Sequence, residues 1–138
     1  MTTIVSTAAD VRAIYEDAVI RHVKTGAAVT AGQLVYYSTA GSGLLATAAT
    51  VTTAEARGIA LDTVGSGGIT RLVIEGEVAG FTITQNVDAV VYVGDTAGTL
   101  NDAAGTISAA FGRVVPITTA NGVVKAIRIR ANYGTKFA

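Results

Sequence analysis

The sequence predicts an all-β fold, either a small β-barrel or a jelly-roll-like sandwich, preceded by an N-terminal arm or short helix. Three observations carry this. Short runs rich in Val, Ile, Thr and Tyr recur along the chain, a composition that suits pleated, half-buried strands. They are separated by glycine- and asparagine-containing turns, and the chain holds 16 glycines and one proline. The strand-like runs also follow one another in two similar series, as a pair of β units would.

From the N-terminus, Met1–Ala8 reads as an extended arm. Val11, Ile14, Tyr15, Ala18, Val19 and His22 then recur at helical spacing, and Thr7 with Asp10 fits a capping box, so an amphipathic helix is expected over Ala8–Arg21. The competing reading is a strand through Ala18–Val23. Strands are expected at Gln33–Tyr37, Ala56–Asp62, Thr70–Glu75, Val78–Ile83, Ala89–Val93, Ala110–Ile117 and Val123–Arg130. Turns are expected at Ala40–Gly43, Gly65–Gly68, Asn101–Asp102 and Asn121–Gly122, the last being a strong hairpin signal. Asn132–Ala138 reads as a second arm. The expected organisation is thus an N-terminal segment over 1–25, a β-barrel domain over 26–131 and a tail over 132–138.

An internal near-repeat runs through the domain at an offset of roughly 55 residues. Leu34-Val35-Tyr36-Tyr37 matches Val90-Val91-Tyr92-Val93, and Leu44 matches Leu100. Arg57-Gly58-Ile59-Ala60 corresponds to Phe111-Gly112-Arg113-Val114, and Gly67–Glu75 to Asn121–Arg130. Two β units of this kind would pack apolar faces together, since neither can bury its own.

Composition narrows the function classes. Half the residues are apolar, and 14% are charged against an average near ~25%. Ten Lys and Arg balance ten Asp and Glu, so no electrostatic footprint for nucleic acid or anionic lipid is present. The chain has no cysteine, which rules out disulfides and thiolate metal sites. No apolar run approaches the ~18 residues of a membrane helix, and no leader pattern opens the sequence. A soluble, intracellular protein that binds other subunits is expected.

Candidate chemistry is sparse. His22 is the lone histidine, and neither a triad nor a histidine zinc site can be assembled around it. Gly41-Ser42-Gly43-Leu44-Leu45-Ala46, with Asp62 beyond, formally fits a dinucleotide fingerprint. The Ala/Thr-rich segment after it lacks an amphipathic helical face, so a hairpin turn is expected instead. Glu75 and Glu77 share one face of a strand and could act as an acid–base pair, but no aromatic sugar platform accompanies them. A solvated or ion-paired face is the better reading. Arg128 and Arg130 form the matching basic pair, and opposite charges are expected to meet across a strand pair or a subunit boundary. Tyr133 and Phe137, aromatics in the terminal tail, are candidate anchors on a neighbour.

Several of these segments together resemble the capsid decoration (cement) proteins of tailed bacteriophages. They are Ala27-Ala28-Val29-Thr30-Ala31-Gly32-Gln33-Leu34-Val35-Tyr36, Arg57–Leu61, Ile74-Glu75-Gly76-Glu77-Val78, Asp88–Val93, Phe111–Val114 and Lys125–Arg130. The resemblance covers roughly Gly26 to Arg130. It implies a virion structural protein, not an enzyme, without a cofactor, seated on the capsid exterior after assembly in the host cytoplasm. It further implies the major capsid protein as partner, a dimer or trimer of the chain, and no role for nucleic acid or membrane. Contact candidates are Ile4, Val5, Tyr15, Glu75, Glu77, Arg128, Arg130, Tyr133 and Phe137. The rival expectation is a carbohydrate- or host-surface-binding β-module on a virion, for which Tyr36 and Tyr37 are the main aromatic material.

Overall fold

A computed structural model describes residues 2–130 of the chain. Within them the backbone forms a curled, antiparallel, 12-stranded sheet that closes into a half-barrel. The strands are β1 (Thr3–Ser6), β2 (Arg12–Ala13), β3 (Val19–Lys24), β4 (Leu34–Tyr37), β5 (Gly43–Leu45), β6 (Gly58–Ala60), β7 (Ile69–Ala79), β8 (Phe81–Thr82), β9 (Val90–Val93), β10 (Leu100–Asn101), β11 (Ala110–Thr119) and β12 (Gly122–Arg130). The all-β expectation holds.

The near-repeat is realised as architecture. The sheet path runs β5-β4-β6-β7-β12-β11-β9-β10, so β4, β5, β6 and β7 occupy in the first unit the places of β9, β10, β11 and β12 in the second. The long strand β7 serves both units. Val73 pairs with both Ile20 and Ile59, and Glu75 with both Val19 and Arg130. Two partners of one residue must lie on opposite edges. Strands β3 and β2 therefore line one edge of β7, while β6 and then β12 share the other.

Two apolar clusters explain why Leu34-Val35, Ile59-Ala60 and Leu72-Val73-Ile74 are consecutive buried apolar residues instead of alternating ones. Leu34, Ile59, Val73 and Val78 face the main core, together with Val91, Val93, Leu100, Val114, Ile127 and Ile129 from the second unit. Their chain neighbours Val35, Ala60 and Leu72 face a second cluster with Val23, Val29 and Ile74. Strands buried on both faces cannot show the polar half of a period-two pattern. The second cluster is enclosed where the end of β3 reaches β5, through the parallel bridge of Thr25 to Gly43 and the Gly26 N–H to Gly43 carbonyl bond of 2.9 Å.

The N-terminal region departs from expectation. No helix spans Ala8–Arg21; a 3-10 turn at Ala8–Asp10 is the only helical piece among the described residues, and the Thr7 side chain makes no capping bond. The rival strand reading is the one realised, as β3. Val19, Ile20 and Val23 are β-branched, and the bare edge of β7 gives them a ladder that a lone helix could not match. The leading segment is not a free arm either. β1 pairs with β10 through Thr3 and Ile4 and with β8 through Val5 and Ser6, and β8 continues β7 beyond Gly80. The split expected inside the long strand, between Glu75 and Val78, is also absent. β7 runs through Gly76, whose φ of +137° carries the bend and where a Cβ would lie 2.9 Å from that of Ala18. Asn101 belongs to β10 and not to a turn, and the hairpin loop is Ala120–Asn121, with Gly122 (φ +123°) opening the next strand.

Candidate interaction surface

The charged pairs singled out in the sequence meet on the ladder between β7 and β12, where the register sets Glu77 opposite Arg128 and Glu75 opposite Arg130. Gly76 and Val78 are buried, so alternation turns both glutamates to the outer face. Arg128 donates from Nη1 to Glu77 Oε1 at 3.4 Å, with its side chain half exposed. One strand further, Arg113 of β11 stands directly opposite Arg128. Like charges opposed in this way repel, and two contacts relieve them: Glu77 on one side, and on the other the Asp88 carbonyl, which accepts from Arg113 Nη1 at 2.9 Å. Asp88 itself takes a positive φ of 70°, the single non-glycine residue to do so among those described. A shallow hollow of about 380 Å³ opens between Asp88, Arg113, Val115 and Arg128.

On the other edge of β7, apolar side chains adjoin this row. Val19 lies opposite Glu75 and is 40% exposed, and Tyr15 is 50% exposed in the loop between β2 and β3. That loop is anchored at both ends: the Ile14 N–H donates to the Glu77 carbonyl at 3.0 Å, and Ala18 packs over Gly76. Tyr15 is therefore held in a short loop tied to β7 on either side of it.

The remaining candidates separate. Ile4 is 3% exposed within the main core, so its place among contact residues is corrected: alternation along β1 turns it inward and leaves Val5, 60% exposed, outside. Tyr133 and Phe137 lie outside the described residues. His22 is exposed on β3, opposite Arg71. The Gly41–Ala46 stretch forms the turn and second strand of the β4–β5 hairpin, with Ser38 N–H bonded to the Ser42 carbonyl at 2.8 Å. Tyr36 and Tyr37 are partly buried, one against each core. Among the described residues no three His, Asp or Glu side chains gather as metal ligands, and no helix is long and apolar enough to cross a membrane.

The β11–β12 hairpin itself was expected from the sequence, but its extension beyond its lateral neighbours and the resulting exposure were not. Strand β9 pairs with β11 only as far as Arg113, and β7 with β12 only from Ile127. The stretch Val115–Val124 between them carries no charge, and Val123 and Val124 are 65% and 52% exposed. The uncharged run was the available signal. Comparison of the chain with protein-family models, with curated proteins and with solved structures finds no match.

Proposed function

We propose that this chain is a virion structural protein that binds the outer surface of a tailed-bacteriophage capsid and stabilises it by bridging major capsid subunits. The observation that carries the reading is the surface over β7 and β12. Exposed Tyr15, in the β2–β3 loop, and Val19 stand beside a row of Glu77, Arg128 and Arg113 on β7, β12 and β11, three strands that send Val78, Ile127, Ile129 and Val114 into the main core. Such a surface is organised before binding, so little ordering cost falls on association. Aromatic and arginine side chains are the residues that most often anchor protein interfaces. The resemblance of Gly26–Arg130 to capsid decoration proteins points to the same kind of partner. Each copy would span neighbouring capsid subunits on the exterior of the head. Many weak contacts then act together, and loss of one subunit requires breaking several at once.

The test is co-sedimentation of the purified protein with matching virus heads. Saturable binding at a stoichiometry set by the head's symmetry is expected. Tyr15→Ala and Val19→Ser should weaken it while leaving the unfolding midpoint nearly unchanged. Absence of binding to the heads overturns the reading.

A further inference from the structure

We propose that two copies of this chain associate through the outer edge of β12, Gly122–Ala126, forming a two-fold antiparallel strand pair centred on Val124. The two repeated units differ at this place. In the first, the far edge of β7 is covered by β3, with Ile20–Lys24 laid along Val73–Ile69. In the second, the equivalent edge of β12 is covered by β7 only at Ile127–Arg130. Between Gly122 and Ala126 no strand pairs with that edge among the described residues. The second unit thus lacks the strand that β3 supplies to the first.

The backbone orientation follows from the ladders. The Glu77 carbonyl accepts from Ile14 on the β2 side, so Gly76 and Val78 turn to β12, and their partners Ile129 and Ile127 turn back to β7. By alternation Val123 and Lys125 aim their N–H and C=O groups at the open edge, while Gly122, Val124 and Ala126 bond to β11.

Open edges in monomeric proteins are normally blunted by proline, by lysine or by a bulge. The other strand of this hairpin has Pro116. Strand β12 has exposed Val123 and Val124, and the Lys125 ammonium is drawn away to the Gln85 carbonyl at 2.6 Å. A second copy of β12 fits this edge better than the outer edge of β3 does. β3 bears Arg21, His22 and Lys24, which would face Lys125. Pairing β12 with itself sets Val123 against the partner's Lys125 and brings the two Val124 side chains together. The zero net charge leaves no long-range repulsion between copies.

The inference does not rest on capsid binding, and purified protein alone tests it. The native chain contains no cysteine, so Val124→Cys introduces a single thiol. In a non-hydrogen-bonded antiparallel pair the Cα atoms stand ~4.5 Å apart, within the ~4.4–6.8 Å that a disulfide spans. Under mild oxidation Val124→Cys should form a covalent dimer about ten-fold faster than Ile69→Cys, a control on β7 that is more exposed (63% against 52%). Adding Val123→Pro removes only an outward-facing N–H, so the fold should persist, as judged by circular dichroism and unfolding midpoint, while cross-linking falls to the control rate. Sedimentation of the unaltered chain should show concentration-dependent dimers. A monomer at every concentration, cross-linking no faster than the control, or indifference to Val123→Pro overturns the proposal; a monomer that instead takes up an extended peptide at this edge assigns it to a different protein.

Discussion

Asp62 grips Arg71 at three points. Its Oδ2 accepts from the Arg71 backbone N–H at 2.9 Å and from Nε at 3.1 Å, and its Oδ1 accepts from Nη2 at 2.9 Å. The clamp lies just past the β6–β7 ladder, where the Leu61 N–H also meets the Arg71 carbonyl at 2.8 Å. It pins the departing chain to the shared strand. The Arg71 side chain, followed by its backbone N–H, holds the Asp62 carboxyl below its ordinary range against a modest cost of burial, and His22 adds a smaller pull.

A depressed carboxyl pKa stabilises the folded state above the unfolded value, near ~3.9 for aspartate, and that contribution is lost as pH falls through the lower folded value. Both side chains are partly exposed, so solvent screening limits the effect to about 0.5 kcal/mol. Asp62→Asn should lower the thermal midpoint by ~1–3 °C at neutral pH, and the difference from the parent should shrink steadily below pH ~4. Melting curves across that range decide it. A difference that persists undiminished in acid would mean that packing, and not charge, is the origin.

Gly58 and Gly112 occupy matching positions in the two units and meet matching obstacles. A Cβ on Gly58 would collide with the Val73 carbonyl oxygen, and one on Gly112 with that of Arg128. Each opposing atom belongs to the backbone of the paired strand, so it cannot swing aside as a side chain could. Gly58→Ala and Gly112→Ala should each cost about 2 kcal/mol or more, as overpacking and ladder distortion do. Gly41→Ala is the informative contrast: open space surrounds it, and the strain of its positive φ of 90° is the main cost, about 1 kcal/mol. Denaturant midpoints for the three variants check the order.

The matching glycines also show which parts of the fold were legible. The repeat could be read because equivalent strands reuse similar residues: Leu34–Tyr37 and Val90–Val93 became β4 and β9, and Arg57–Ala60 and Phe111–Val114 fall on β6 and β11. The alignment of Glu75 with Arg130 found two residues that do stand opposite each other. The strands at Thr3–Ser6, Arg12–Ala13 and Leu100–Asn101 were invisible because two to four residues carry no measurable period. The spacing of Val11, Ile14, Tyr15 and Ala18 imitates a helix, but a helix there would leave the β7 edge uncovered. Asp62 and Arg71 could not be matched either, since their meeting depends on the β6–β7 register, a tertiary choice. Of the candidate interaction surface, the glutamates, Arg128 and Tyr15 were recognisable. Val19 and Arg113 were not, because exposure depends on which strands end early.

Glu77 and Arg128 form an ion pair whose importance is amplified by Arg113 on the far side of Arg128. Glu77→Arg would align three cations across adjacent strands. The stability loss should stay near 1 kcal/mol, since the outer face is wet, and added salt should recover part of it. Reversing Arg128 as well, in the Glu77→Arg/Arg128→Glu double variant, restores alternating charge and should recover most of the loss. Under the proposed function the double variant regains the fold but not full head binding, because the charge pattern shown to a partner is inverted. Unfolding midpoints at two salt concentrations, alongside head co-sedimentation, separate the two effects. Failure of the double variant to regain stability would show that the pair does not govern the ladder.

Adjacent residues of β4 serve different cores, and this leads to an uncommon expectation about additivity. Leu34 and Val35 are both 0% exposed, yet Leu34 packs with Ile59, Val73 and Val91 in the main cluster while Val35 packs with Val29, Ala60 and Leu72 in the second. Leu34→Ala should cost about 3 kcal/mol and Val35→Ala about 2 kcal/mol, from lost transfer energy plus the cavity left behind. Neighbouring substitutions normally couple, because they share partners or relax into one another's space. Here the strand backbone separates the two cavities, and neither cluster includes the other's members. The double variant, if still folded, should therefore lose the sum of the two within ~0.5 kcal/mol. Denaturant unfolding of the four proteins measures this directly. A coupling well above that margin would mean that β4 shifts as a body and that the two cores act as one.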